Sequence, residues 1–239
     1  MTRHLTHALA LAACMLAAGS AQAAPPKGGP DLAQCPRSEA PGLEEGNERT
    51  RPLPVPKPLA NIVRARLDQL GVVTLTGATF CVDARAIHIV QNMRLERKAR
   101  FLGLNWYGYE EYGHIFVDRS GNGSMIDTGS APLFSPSGQL LAAAQQSGAG
   151  FGALEGMAIW RVLPEGLERI AMFGEIPEMA DWRIDGWANE QCVNLSAVPN
   201  ERIPESRTDL TQVPRDRYVA SLTRGEWRFE RNDKGCPAR

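Results

Sequence analysis

His114-Ile115-Phe116-Val117-Asp118-Arg119, then Ser120-Gly121-Asn122-Gly123, then Ser124-Met125-Ile126-Asp127-Thr128 is the stretch on which the reading of the fold turns. Two β-prone runs flank four small or polar residues. An Asn-Gly pair accepts the positive φ angles of a tight turn, so the two runs are expected to pair as an antiparallel hairpin. The same punctuation recurs on both sides. Toward the amino terminus, Val72 to Thr76 and Thr79 to Val82 surround Gly77, and Ala86 to Gln91 is a further apolar run. Toward the carboxyl terminus, Ser135-Pro136-Ser137-Gly138 and Leu163-Pro164-Glu165-Gly166 read as turns around Gln139 to Ala144 and Met157 to Val162. Tyr218 to Thr223 and Glu226 to Arg231 make another hairpin about Arg224-Gly225. The expected fold class is therefore all-β, an antiparallel meander of short strands.

One segment reads otherwise. From Pro58 to Gly71 the residues Leu59, Ile62, Val63, Leu67 and Leu70 recur at helical spacing, Pro58 suits a first turn and Gly71 a stop. A short amino-terminal helix is expected there, although Val63, Ala65 and Leu67 also alternate with Arg64, Arg66 and Asp68 as in a strand. Residues 24–58 hold nine of the 17 prolines and show neither a period of two nor one of 3.6. They are expected to form an extended, flexible and partly disordered arm that buries no core, tied down at Cys35. Residues 59–239 then form a single β-rich domain.

Residues 1–23 have the pattern of a secretory signal. Arg3, His4 and His7 are followed by the apolar Ala8 to Ala18, and Ala21-Gln22-Ala23 offers a cleavage site. The apolar run is about half the length that spans a bilayer. A periplasmic or secreted protein is expected. The alternative is a lipoprotein acylated at Cys14, because Leu11-Ala12-Ala13-Cys14 resembles a lipobox. The chain carries 26 basic and 27 acidic residues, so no surplus of cations argues for a nucleic-acid partner. Without Cys14 four cysteines remain, Cys35, Cys81, Cys192 and Cys236. An even number in an oxidising compartment implies two disulfides with three connectivities, of which sequence neighbours paired is preferred. None of the four stands in a C-x-x-C pair, so no zinc site is assigned.

Ala131-Pro132-Leu133-Phe134-Ser135-Pro136-Ser137-Gly138-Gln139-Leu140-Leu141-Ala142 resembles the strand, turn and strand of a WD-repeat blade, and Ala158-Ile159-Trp160-Arg161-Val162 resembles its third strand. Ala131 to Phe173 spans 43 residues, the size of one four-stranded β-propeller blade. Trp182 to Leu195 is similar to the start of a second, degenerate copy. The resemblance implies propeller-like sheets and no particular activity.

Asp127-Thr128-Gly129-Ser130 resembles the active-site loop of aspartic proteases, whose chemistry needs two carboxylates sharing one proton. The chain has no second Asp-Thr-Gly; Ile184-Asp185-Gly186 is the nearest echo, and a homodimer would otherwise have to pair two copies of Asp127. The other reading places Asp127 in an Asx turn at a strand end. After the signal only His88 and His114 remain; Glu110, Glu111 and Asp118 lie near His114 in sequence, but no metal is assigned. Gly148-Ala149-Gly150-Phe151-Gly152-Ala153 matches a loose dinucleotide pattern with a strand where a helix is required, so no cofactor is assigned. The aromatic cluster Trp106, Tyr107, Tyr109 and Tyr112, interleaved with Glu110 and Glu111, suits recognition of a peptide, a glycan or another envelope protein. The expected function is non-enzymatic binding of an envelope component; the alternative is a peptidase built on Asp127.

Overall fold

The computed structural model describes residues 28–36, 50–146, 153–203 and 210–237. Residues 1–23, read above as a secretory signal, with Cys14 among them, and the glycines 148–152 of the loose dinucleotide pattern lie outside them. The strands form four antiparallel sheets, each a meander in which chain neighbours pair. Sheet I comprises β1 (Val63–Ala65), β2 (Gln69–Val73) and β3 (Thr79–Asp83). Sheet II comprises β4 (Ile89–Glu96), β5 (Phe101–Tyr107), β6 (Tyr112–Asp118) and β7 (Ser124–Asp127). Sheet III comprises β8 (Leu133–Phe134), β9 (Leu140–Gln145), β10 (Gly156–Leu163) and β11 (Gly166–Phe173). Sheet IV comprises β12 (Met179–Asn189), β13 (Cys192–Pro199), β14 (Asp216–Thr223) and β15 (Glu226–Arg231). The protein is all-β, and its described helical residues are single 3-10 turns.

The deciding hairpin forms with Phe116 opposite Ile126 and Asp118 opposite Ser124. Its left-handed residues are Gly121 (φ 52°) and Gly123 (φ 86°), not Asn122. Gly123 N donates to Ser120 O at 2.9 Å and closes the turn. A Cβ on Gly123 would come 2.7 Å from Phe80 Cβ, so the turn also seats against sheet I.

Alternation along the strands stacks the sheets in chain order. Leu102, Leu104, Trp106, Ile115 and Val117 of sheet II share a buried core with Val63, Leu70, Val72 and Val82 of sheet I. The intervening Phe101 and Phe116 point the other way and pack with Leu141, Ala143, Ala158 and Trp160 of sheet III. The remaining residues of sheet III, Ala142, Ala144, Met157 and Ile159, meet Val193, Leu195, Ala197 and Tyr218 of sheet IV. Sheets II and III are thus covered on both faces, which is why Leu141-Ala142-Ala143-Ala144 is continuously apolar. Among the described residues no buried apolar cluster joins sheet I to sheet IV.

Charged side chains bridge these layers where backbone carbonyls would otherwise be stranded. Buried Arg119 donates Nε to Val73 O of sheet I at 2.6 Å and a second N–H to Ala99 O. Arg100 grips the fully buried Asp118 with two bonds of 3.0 and 2.7 Å and also donates to Leu163 O of sheet III.

Two expectations need correction. The helix over Pro58 to Gly71 is absent: one 3-10 turn, Lys57–Leu59, ends in the hairpin β1–β2, with Val63 opposite Val72. Pairing across the hairpin outweighs the local helical spacing, and Leu67, assigned to the apolar face, is 48% exposed. The arm also contributes to the core. Leu53 is buried and Val55 packs beside it in the first cluster. Cys35 is buried and joined to Cys81 of β3, and Arg66 donates to the carbonyls of Leu32 and Pro36. The second disulfide joins Cys192 of β13 to Cys236.

Candidate functional site

The last residue of β7 is Asp127, and its carboxylate closes three contacts. Trp106 Nε1 donates to Oδ2 at 2.7 Å; Gly129 N and His114 N donate to Oδ1 at 2.9 and 3.2 Å. Burial raises its pKa, while the three donors pull the other way. The side chain fits because Gly113 lies against it: a Cβ there would stand 2.7 Å from Trp106 Nε1 and 2.8 Å from Asp127 Oδ1. The bond to Gly129 N, two residues on, is an Asx turn. Thr128 N then donates to His114 O at 2.9 Å, and Ser130 Oγ donates to Ala144 O of β9 at 2.9 Å. The Asp-Thr-Gly-Ser loop therefore sews sheet II to sheet III. Among the described residues no second carboxylate contributes to the shift of Asp127. Asp185, the nearest sequence echo, lies on β12 and accepts from Ser196 Oγ at 2.8 Å.

His114 is fully buried, with Nδ1 2.6 Å from Asn105 Oδ1, and burial lowers its pKa to about 4. The ring is held neutral, with Nδ1–H donating to the amide oxygen. Its Nε2 faces Gly103, where a Cβ would approach to 2.9 Å. Asp118, one of its sequence neighbours, is taken by Arg100. Among the described residues no group of three metal-ligating side chains converges.

The aromatic cluster divides. Trp106 is buried at 8% exposure and anchors Asp127 from within the first core. Tyr107, Tyr109 and Tyr112 are 39, 59 and 43% exposed. Tyr107 and Tyr112 are direct cross-strand partners, so their side chains emerge on one face. Ile89 sits opposite Tyr107 on the neighbouring strand and is 53% exposed, extending the row across β4, β5 and β6. Ile89 was not assigned from sequence; its only signal was its place in an apolar strand run next to His88. The connecting loop turns on Glu110 (φ 56°), and Gly108 N donates to Glu111 O at 2.8 Å. Burial first, then the charges of Glu155 and Asp181, raise the Tyr112 pKa, so acids border the aromatic row. What the cluster presents is apolar ring area beside carboxylate acceptors.

Comparison with protein families, with curated proteins and with solved structures finds no match. Two disulfides are the kind of cross-link that persists in oxidising compartments. Among the described residues no helix is long and apolar enough to cross a membrane.

Proposed function

We propose that this chain is an exported, disulfide-braced binding protein whose tyrosine row docks a polypeptide segment of another envelope component. One observation carries the reading: Ile89, Tyr107 and Tyr112 form an exposed row across three strands, with Tyr109 in the adjoining loop. Exposed aromatic rings on a rigid hairpin supply contact area at small entropic cost, and Glu110, Glu111 and Glu155 nearby favour a partner carrying N–H donors or cationic side chains. The four sheets read as propeller-like blades, a reading supported by Ala131 to Phe173 making one four-stranded meander with Trp160 on its third strand. Export rests on residues 1–23; an amino terminus at Ala24 in protein recovered from outside the cytosol tests it, and fatty-acid labelling lost in Cys14→Ala would favour the lipoprotein form instead.

The docking test uses the oxidised protein against peptide and glycan arrays, beside a variant with Tyr107, Tyr109 and Tyr112 all changed to Ala. Peptide binding weakened tenfold or more, about 1.4 kcal/mol or above, with unchanged melting supports the reading. Binding only to glycans, or equal binding by both proteins, sinks it. The peptidase alternative draws on the raised pKa of Asp127. It requires cleavage of unfolded substrate at acid pH, by a dimer, that disappears in Asp127→Asn.

A further inference from the structure

A cavity lies far along the stack from the tyrosine row, on the face of sheet IV turned away from sheet III. Val193, Leu195 and Ala197 of β13 point into the third core, so the alternate residues Cys192, Asn194 and Ser196 occupy the outer face. The chain leaving β15 folds back over that face. Cys236 is bonded to Cys192, and its N–H donates to Asn194 Oδ1 at 2.8 Å. Gly235, at φ 72°, permits the approach, since a Cβ there would stand 2.9 Å from Asn194 Oδ1. Between tail and sheet remains a cavity of about 580 Å³. That is within the range of small-molecule sites.

The charges lining it are arranged rather than balanced. Arg215 lies in the wall but is committed to Asp181 and to Ser196 through four hydrogen bonds. Arg217 is the cross-strand partner of Ser196 and shares its face. Lys234 comes from the tail. Among the described residues neither Arg217 nor Lys234 has an ion-pair partner. Asp185 lies on the other side of Ser196, on β12, where Ser196 Oγ donates to it at 2.8 Å. Neighbouring strands are about 4.8 Å apart, so acid and base are set on the order of 10 Å from each other at the backbone.

We propose that this cavity binds a small zwitterion, an amino acid or dipeptide, with its carboxylate on Arg217 and Lys234 and its ammonium on Asp185. The disulfide holds the wall that carries Lys234, so the site exists only in the oxidised protein. This assignment is independent of the tyrosine row on sheet II. Asp185 weighs against a doubly charged phosphate, whereas two unpaired cations weigh against a simple amine.

Titration calorimetry of the full oxidised chain with alanyl-alanine tests the proposal, with the N-acetylated and the amidated dipeptide, acetate and inorganic phosphate as comparison arms. The zwitterion is expected to saturate the protein in the micromolar to low millimolar range. Loss of either end group, or Arg217→Ala, Lys234→Ala or Asp185→Asn, is expected to weaken binding about tenfold each, the equivalent of one charge-assisted contact. All three positions are exposed, so the variants should fold; near-ultraviolet circular dichroism verifies it. No saturable binding of the zwitterion, binding indifferent to all three variants, or phosphate binding as tightly as the dipeptide would overturn the assignment.

Discussion

His114 shows how one buried ring can govern the pH response of the protein. In the unfolded chain its pKa is near 6.5, and in the fold it is lowered to about 4. Between those values the unfolded state binds the extra proton, so stability is intact above pH 6.5 and falls as pH drops toward 4. The difference is worth roughly 3 kcal/mol at 1.36 kcal/mol per unit. Urea unfolding across that window should show the loss, and the His114 ring resonances should titrate near the lower value; a midpoint near 6.5 would contradict the buried geometry. Asp127 acts in the opposite sense. Its raised pKa means that the folded state takes up a proton before the unfolded one, which offsets part of the loss at the acid end.

At the scale of the hairpin, two glycines separate backbone strain from packing. Arg224 and Gly225, at φ 54° and 86°, make the two-residue turn between β14 and β15, with Thr223 opposite Glu226. A Cβ on Gly225 meets nothing within 4 Å, so Gly225→Ala should cost only its conformational penalty, about 1 kcal/mol. Gly123 is equally left-handed but presses on Phe80 across the sheet I–II boundary. Gly123→Ala should therefore cost clearly more, on the order of 2 to 4 kcal/mol. Parallel urea titrations measure both; equal losses would mean that the Phe80 contact yields freely. The positions of these turns are legible in the chain, because Gly and Pro act through their own φ angles. The segment after Pro58 is not. Its apolar spacing serves a helix or a hairpin equally well, and the pairing of Val63 with Val72 that decides between them lies outside any local window.

Over the whole molecule, the two disulfides tie the chain to the outer sheets at either end of the stack. Cys35 to Cys81 pins the leading segment to β3, and Cys192 to Cys236 pins the tail to β13. They close loops of 46 and 44 residues, so each is expected to contribute about 4 kcal/mol by constraining the unfolded chain. Reduction of both should lower the unfolding free energy measured in urea by roughly 8 kcal/mol, and Cys35→Ser with Cys81→Ser should reproduce about half of it; an unchanged unfolding free energy would show the bridges to be energetically idle. The sequence alone determined that the chain is built of short antiparallel strands, several of its turns, and which four cysteines are available to cross-link, because φ preference and period-two alternation are properties of neighbouring residues. Only the tertiary structure decided which faces were covered. It withdrew Trp106 into the core while leaving three tyrosines and Ile89 outside, and it enclosed Asp127 among three N–H donors. It also drew Leu53 out of the arm into the first core. Each of those outcomes depends on which sheet lies against which, a contact between residues far apart in the chain.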